Sequence, residues 1–186
     1  AVLVAMTRGR VRAAVLLAIP LVGAFNLFTI ADAAVGNVAV FDYTLTYLRV
    51  DRLSMLFGYL FHLAAFIGIV YSLHLRDTTQ HVTGTLYAGS ALGAVFAGDL
   101  ITLFVFWELL AVTSVFLILA RRTERARAAA MRYLVIQVLS GVILLAGVLI
   151  RLHQTGSIAF DFIGLDGLGS WLIFLAFGIK CAFPLL

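Results

Sequence analysis

The chain has 186 residues, of which 63% are hydrophobic and only 12% are charged, and its mean hydropathy is +1.12. Soluble domains are about 45–50% apolar and about 25% charged, so this composition excludes a soluble globular protein and predicts a polytopic membrane protein. The formal net charge of +4 comes from arginines at the ends of apolar runs, which makes it a topology signal rather than a nucleic-acid-binding surface. Cys181 is the single cysteine, so an intrachain disulfide is excluded.

Both ends of the chain look like interrupted spans. Residues 1–6 are apolar but too short to cross a bilayer, and we expect them to be the tail of an earlier, truncated span. Three arginines in residues 8–12 precede the first complete span, residues 13–31, which tolerates Pro20 if neighbours satisfy the freed carbonyl. The last residues, KCAFPLL, stop within an apolar run. We therefore expect a single membrane domain over residues 1–186 that is a fragment of a longer protein.

Residues 32–52 form a polar loop with a period of two. Phe41, Tyr43, Leu45 and Tyr47 alternate with polar side chains. That alternation is typical of a strand with one apolar face. The loop is therefore predicted to be an extramembrane β-hairpin or an amphipathic strand.

Five further apolar runs follow along the chain. In the third span, Gly89, Gly93 and Ala97 recur every four residues and form a ridge of small residues that lets another helix approach closely. Gly98 and Asp99 then make a tight turn, in which Asp99 is placed to cap the following helix. The five runs are residues 53–73, 82–97, 99–120 and 128–150, and a last one that starts at Ser170.

The predicted fold is thus an all-α transmembrane bundle of about six complete spans. With six crossings, nine arginines lie on or near one side and three on the other. Because cytoplasmic loops carry the excess of arginine and lysine, residues 8–12 and the turn at residues 121–127 are predicted to be cytoplasmic. The nine are Arg8, Arg10, Arg12, Arg76, Arg121, Arg122, Arg125, Arg127 and Arg132; the three are Arg49, Arg52 and Arg151.

Glu108 lies near the middle of the span at residues 99–120. At helical rise it is roughly 13 Å from Leu100, close to the midplane of a hydrocarbon core about 30 Å thick. A carboxylate there costs about 2.5 kcal/mol or more unless it is neutral, paired or beside water, so it is a candidate functional residue. The alternative is a protonated glutamic acid that makes one interhelical hydrogen bond.

Lys180 is the single lysine, and it lies roughly 15 Å into the last span. Pro184 follows four residues later and has no N–H for the carbonyl of residue 180, which predicts a kinked or broken helix beside the lysine. Broken helices at membrane depth line cavities, and transporters place ion sites there. Burial disfavours the charged ammonium and a nearby carboxylate restores it, so Lys180 is a candidate proton carrier with Glu108 as its natural partner. The alternative is a lysine that snorkels or pins the bundle.

Other polar residues within the spans are weaker candidates. His62 lies near mid-depth, where an imidazole could relay protons or remain a neutral, hydrogen-bonded core residue. Gln137 and Ser140 are interpreted first as interhelical hydrogen-bonding groups and second as bonding partners of water.

No pattern indicates a cofactor or a metal. The sequence has no Gly-rich phosphate loop, no Cys/His metal spacing, no haem motif and no nucleophile beside a base. We expect no cofactor in this chain. If the protein works in an oxidoreductase, the redox centres lie on other subunits, so its status as an enzyme stays open.

Four stretches resemble one known family: GDLITLFVFWELLAVTSVFLI, MRYLVIQVLSG, TGSIAF and FGIKCAFPLL. They are similar to proton-translocating antiporter-like subunits, which include the D-type and A-type subunits of Mrp cation/proton antiporters and the large membrane-arm subunits of respiratory complex I. The resemblance covers most of residues 50–186. Its most specific part is a Trp-Glu span followed two helices later by a K-x-x-x-P lysine span.

The resemblance implies that Lys180 is the buried lysine of the family and Glu108 the acid that biases it. It also implies about fourteen helices with two inverted repeats, of which this chain holds most of the first. Other membrane subunits, lipid, protons and Na+ or K+ are the implied partners, without nucleic acid, in the bacterial inner membrane. The second repeat and the run that usually follows the lysine are absent here.

Three functions follow as hypotheses. The first is a subunit of an Mrp-type antiporter, with MRYLVIQVLSG and GIKCAFPLL closer to the D-type subunit. The second is a proton-pumping subunit of complex I or a membrane-bound hydrogenase. The third is a membrane scaffold that transports nothing.

Overall fold

The computed structural model describes residues 1–30, 34–41 and 43–182. In this part of the chain a β-hairpin interrupts a series of helices, in agreement with the predicted helical bundle. The helices are α1 (Val2–Met6), α2 (Gly9–Thr29), α3 (Arg52–Ser72), α4 (Thr78–Phe96), α5 (Leu100–Leu119), α6 (Glu124–Thr155) and α7 (Leu168–Lys180), and the strands are β1 (Val35–Val40) and β2 (Tyr43–Arg49).

Helices α2 to α7 occupy the six predicted spans. Among the described residues, α2, α3, α5 and α6 are long and apolar enough to cross a membrane, whereas α7 has 13 residues up to Lys180. Helix α6 continues five residues beyond the predicted end at Ile150, since the chain leaves the helix only at Gly156, whose φ of 69° is left-handed. The loop expected at residues 151–169 is correspondingly shorter.

The helices pack mainly against their neighbours in sequence, from α2 on α3 through to α6 on α7. The main apolar core lies where α5, α6 and α7 meet. Leu103 and Trp107 of α5 contribute to it, together with Leu144 and Val148 of α6 and Ile173 of α7. This core holds the middle of α5, where Glu108 lies, against the two following helices.

The polar loop contains the antiparallel pair β1 and β2. Val38 lies opposite Leu45, and the register shifts between Gly36 and Asn37. The extended backbone agrees with the period of two in the sequence. It also brings one edge of β2 to the turn between α4 and α5.

Asp99 ties that turn to the hairpin. Its Oδ1 accepts the Thr102 amide at 2.7 Å and so caps α5, while its Oδ2 accepts the Thr46 amide of β2 at 2.6 Å and the Thr102 hydroxyl at 2.7 Å. The neighbouring Gly98 amide donates to the Thr46 carbonyl at 2.9 Å. Asp99 is only 2% exposed, so its carboxylate is compensated by these donors rather than by water.

The segment between α6 and α7 pairs with the other side of the same turn. The Leu100 amide donates to the Ile158 carbonyl at 2.9 Å, and the Phe160 amide donates to the Gly98 carbonyl at 3.2 Å. Arg49 of β2 donates to the Phe160 carbonyl and lies 5.7 Å from the centre of its ring. We call residues 46–49, 98–99 and 158–160 the latch, because they fix the N-terminal end of α5 from two sides.

The opposite end of the bundle carries the arginine-rich turns. Arg122, between α5 and α6, forms an ion pair with Asp77 at 3.1 Å, between α3 and α4. This contact joins two turns that the sequence predicts on the same side of the membrane.

Replacing Asp99 by alanine is expected to destabilise the protein more than the same change at Asp51, which caps α3. Asp51→Ala removes a cap at an exposed helix end and should cost about 1 kcal/mol. Asp99→Ala leaves several latch donors without a partner, at about 1–3 kcal/mol for each buried group. Thermal denaturation of the full-length protein measures both variants. Equal losses would contradict a latch centred on Asp99.

Candidate functional site

Glycines place α7 directly on α6. A Cβ at Gly147 would come within 2.8 Å of the Gly169 carbonyl oxygen, and a Cβ at Gly169 within 2.9 Å of the Gly147 carbonyl oxygen. Farther along the same interface, the Ser140 hydroxyl donates to the Ala176 carbonyl at 3.0 Å. Backbone contact at one point and a hydrogen bond at another set the position of the end of α7, where Lys180 lies.

Lys180 reaches from α7 to α5. Its Nζ lies 3.4 Å from the carbonyl oxygen of Trp107 and 4.7 Å from the centre of the indole ring. The indole is itself held edge-to-face by Phe177, with ring centres 4.9 Å apart. A cation over an indole gains about 0.5–2 kcal/mol depending on its exposure, so Trp107 offers the partly buried lysine a neutral partner.

Glu108 is the residue after Trp107, and its carboxyl group lies against α6. A Cβ at Gly141 would overlap its Oε1, so the glycine provides the space that the carboxyl group occupies. That oxygen is buried and accepts no hydrogen bond from the described residues. Both Glu108 and Lys180 are described, and no ion pair within 4.0 Å joins them.

Two more polar groups near Glu108 are buried without a partner in the described part of the chain. They are Nε1 of Trp107 and Oε1 of Gln137. Gln137 is four residues before Gly141 on α6, so both face α5 from the same side of the helix. Buried polar atoms without partners are rare, and these three lie on α5 and α6, the two helices that the Glu108–Gly141 contact joins.

His62 lies elsewhere in the bundle. It is 8% exposed, and its Nδ1 is 2.7 Å from the Gly58 carbonyl oxygen of its own helix. The other ring nitrogen faces Gly23 of α2, where a Cβ would overlap it. The imidazole thus belongs to the α2–α3 interface, and its environment fits the hydrogen-bonded core residue better than a relay to Lys180.

The ridge of small residues on α4 is covered by a neighbouring side chain along only part of its length. The ring of Phe106 from α5 fills the space beside Gly93, whereas nothing lies within 4 Å of a Cβ at Gly89. No described residue packs against Gly89, so the expectation that a helix approaches there stays a prediction. Pro184 lies outside the described residues, so its effect stays a prediction; within them, α7 ends at Lys180.

No three His, Cys, Asp or Glu side chains of the described residues lie close enough to hold a metal ion.

Part of the chain is similar to a family of membrane transport subunits. Residues 97–185, a little under half of the chain, match the family model "NADH:quinone oxidoreductase/Mrp antiporter, TM". Subunit A1 of a Na(+)/H(+) antiporter from Staphylococcus aureus (strain bovine RF122 / ET3-1) is 28% identical over 121 residues, which are 62% of this chain and 15% of that protein. The Mrp complex from Dietzia sp. DQ12-45-1b contains a chain that is 27% identical, with a TM-score of 0.71 over 90% of this chain and 20% of that one. This chain is therefore similar to proton-translocating antiporter-like subunits.

A second solved structure has the same fold at lower identity. It is the membrane-bound sulfane sulfur reductase, an archaeal respiratory membrane complex, with a TM-score of 0.73 and 16% identity over 96% of this chain and 39% of that one. The chain thus spans less than half the length of each of these relatives. The predicted family and the fold as a part of a larger helical bundle are confirmed, and the matched range contains all of α5, α6 and α7.

Sequence reasoning missed three parts of the site. Trp107 was noted only as part of a motif, yet it is the direct partner of Lys180. Gly141, which makes room for Glu108, and the Gly147–Gly169 contact were not singled out at all. Trp107 could have been singled out from the sequence, because an indole next to an intramembrane acid is well suited to bind a cation.

Gly141→Ala is expected to lower the stability of the protein by about 1–3 kcal/mol, because the new methyl group displaces the Glu108 carboxyl group. The same change in a Glu108→Ala background should cost much less, since the overlapping atoms are gone. Denaturation of the four full-length proteins gives the coupling energy. Gly89→Ala is the control and should cost nothing, as its Cβ points into open space. An equal cost of Gly141→Ala in both backgrounds would contradict the contact.

Proposed function

We propose that this chain is part of a membrane subunit of an Mrp-type cation/proton antiporter, in which Lys180 and Glu108 move protons. The observation that carries the proposal is the position of the Lys180 ammonium. It rests on the carbonyl and the ring of Trp107, one residue from Glu108, without an ion pair to that carboxyl group. An ammonium with a neutral holding position next to an acid can change partners by a rotation of its own side chain.

The proposed step is a change of partner at Lys180. Next to a deprotonated Glu108 the ammonium is stabilised, and Lys180 keeps its proton. On Trp107 only the cation–π contact and one long hydrogen bond compensate the charge, so Nζ can release a proton to a water molecule and become a neutral amine. A proton that arrives from the other side restores the ammonium, which returns towards Glu108.

The unpartnered polar atoms support a hydrated path at this position. Oε1 of Glu108, Oε1 of Gln137 and Nε1 of Trp107 can each bond a water molecule, and buried waters typically bind where two to four polar groups converge. Ser140 is not free for this role, because its hydroxyl donates to the Ala176 carbonyl. His62 is not part of the proposed path, because its Nδ1 already lies within hydrogen-bonding distance of the Gly58 carbonyl oxygen.

The subunit type and the setting are part of the proposal. The resemblance of two short stretches to the D-type subunit stays a prediction, while the curated relative is an A1 subunit. We propose that residues 8–12 and 121–127 face the cytoplasm of a bacterium, that other membrane subunits complete the transporter, and that Na+ or K+ exchanges for protons without a cofactor in this chain.

A respiratory role is the second candidate. The matching family model includes NADH:quinone oxidoreductase, whose membrane subunits would use the same buried charges for proton pumping. The two candidates differ in what drives the flux, an ion gradient or a redox reaction.

In inverted vesicles that contain the intact complex, Lys180→Ala and Glu108→Gln are each expected to reduce Na+-driven or K+-driven proton flux at least tenfold. The reason is that each change removes one partner of the proposed switch. Flux is followed with a pH-sensitive dye, and assembly is checked on native gels. Glu124→Gln is the matched control, since Glu124 is an exposed glutamate that pairs only with Arg127.

Unchanged flux in an assembled Lys180→Ala complex would refute the charge-pair mechanism and favour a scaffold. Flux that requires NADH rather than an ion gradient would identify the respiratory candidate.

Trp107→Leu is expected to reduce the flux several-fold, whereas Trp107→Phe keeps most of it, because phenylalanine retains an aromatic face for the ammonium. Both variants keep the backbone carbonyl that Lys180 contacts. If leucine and phenylalanine give the same flux, the ring is only a packing group.

A further inference from the structure

A basic cavity lies at the end of the bundle that carries the arginine-rich turns. It has a volume of ≈ 690 Å³ and is bounded by the start of α2 and the turn between α3 and α4. Its walls carry a dense positive charge, and no carboxylate lines it. The charged and titratable lining residues are Arg8, Arg10, Arg12, Arg76, His74 and His81.

The charge of this cavity is not neutralised by the described part of the chain. Arg12 is only 8% exposed, and its Nε donates to the Thr7 carbonyl at 2.8 Å, which compensates the cation only in part. None of the four lining arginines forms an ion pair with a described residue. The closest carboxylate in sequence, Asp77, is engaged by Arg122 and by the Thr79 amide. Four arginines in one cavity without a counter-charge favour a bound anion.

An apolar groove continues from the cavity along the helices. It has a volume of ≈ 470 Å³, and it shares Leu16, Leu75 and His81 with the basic cavity. Small residues of α3 and α4 open its floor, and nothing lies within 4 Å of a Cβ at Gly68 or at Gly84. A ligand with a negative head and a long apolar chain fits both parts at once.

We propose that the cavity and the groove together bind an anionic phospholipid, with its phosphodiester against the arginines and an acyl chain between α3 and α4. The complementary charge selects an anion, and the apolar groove between α3 and α4 selects a lipid rather than free phosphate. This site is separate from the Glu108 and Lys180 cluster and does not depend on the proposed transport function. Basic pockets between transmembrane helices are suited to anionic lipid headgroups.

The test uses the full-length protein in its complex, purified in mild detergent and placed in phosphatidylcholine nanodiscs with or without phosphatidylglycerol. Native mass spectrometry and lipid extraction count the retained phosphatidylglycerol. The double variant Arg8→Gln/Arg76→Gln changes two exposed lining arginines, and the affinity should fall about fivefold for each arginine removed. Arg125→Gln/Arg132→Gln removes the same charge from exposed positions outside the cavity and should retain the lipid.

A second pair of variants tests the groove without changing the charge. Gly84→Leu fills the groove and is expected to abolish retention of phosphatidylglycerol. Gly89→Leu on the same helix also points into open space but does not line the groove, so the lipid should remain. Both leucines face empty space, so neither change forces the backbone to move.

Several results would overturn the proposal. Equal retention of phosphatidylcholine, or displacement by inorganic phosphate at the same affinity, would show that no anionic lipid is selected. Retention that is unaffected by Gly84→Leu would place the lipid elsewhere. Release of another subunit by Gly84→Leu, with no phospholipid detected, would assign the groove to a partner helix instead.

Discussion

The contact between Gly147 and Gly169 is the constraint on which the buried cluster depends. Within a membrane, helices gain little from burying apolar side chains against each other, so close packing of small residues decides which surfaces meet. Here two backbones approach so closely that no side chain fits between them. The register of α7 on α6 follows from this contact, and that register brings Lys180 to Trp107 of α5.

In the described part of the chain, the cluster around Trp107 and Glu108 contains more polar atoms without a hydrogen-bonding partner than the latch does. The latch satisfies nearly every polar atom it buries, whereas the centre of the bundle leaves a carboxyl oxygen, an amide oxygen and an indole N–H without partners among the described residues. Unsatisfied groups in a medium of low dielectric constant are costly. The polar atoms of the latch bind one another, whereas the middle of the bundle contains polar atoms for which the described residues offer no partner.

The sequence was sufficient for the elements but not for their contacts. Hydropathy located each helix, and the period of two from Phe41 to Tyr47 located the hairpin within residues 32–52, because both signals are local. The same four-residue spacing predicted one ridge from Gly89 to Ala97, yet only Gly93 of the two glycines accepts a neighbour. The difference depends on how α4 is turned relative to α5, which no local pattern encodes.

The distinction between local patterns and contacts between helices also explains which residues of the site could be predicted. Glu108 and Lys180 stand out by their charge and depth alone. The role of Trp107 depends on where α7 ends relative to α5, and the role of Gly141 depends on a carboxyl group from another helix. The end of α6 was misplaced because apolar residues ran out at Ile150 while the helix continued through polar residues to Gly156.

The contacts of the latch form at different times during synthesis of the protein. Its contacts join positions 53 residues apart, between Thr46 and Asp99, and 111 residues apart, between Arg49 and Phe160. Synthesis proceeds from the N-terminus, so the hairpin can bind the start of α5 as soon as that helix is inserted. Phe160 is synthesised only after α6. Early in biogenesis, Glu108 therefore lies in a helix that is held at one end from one side only. The order of translation separates the insertion of the acid from its final positioning.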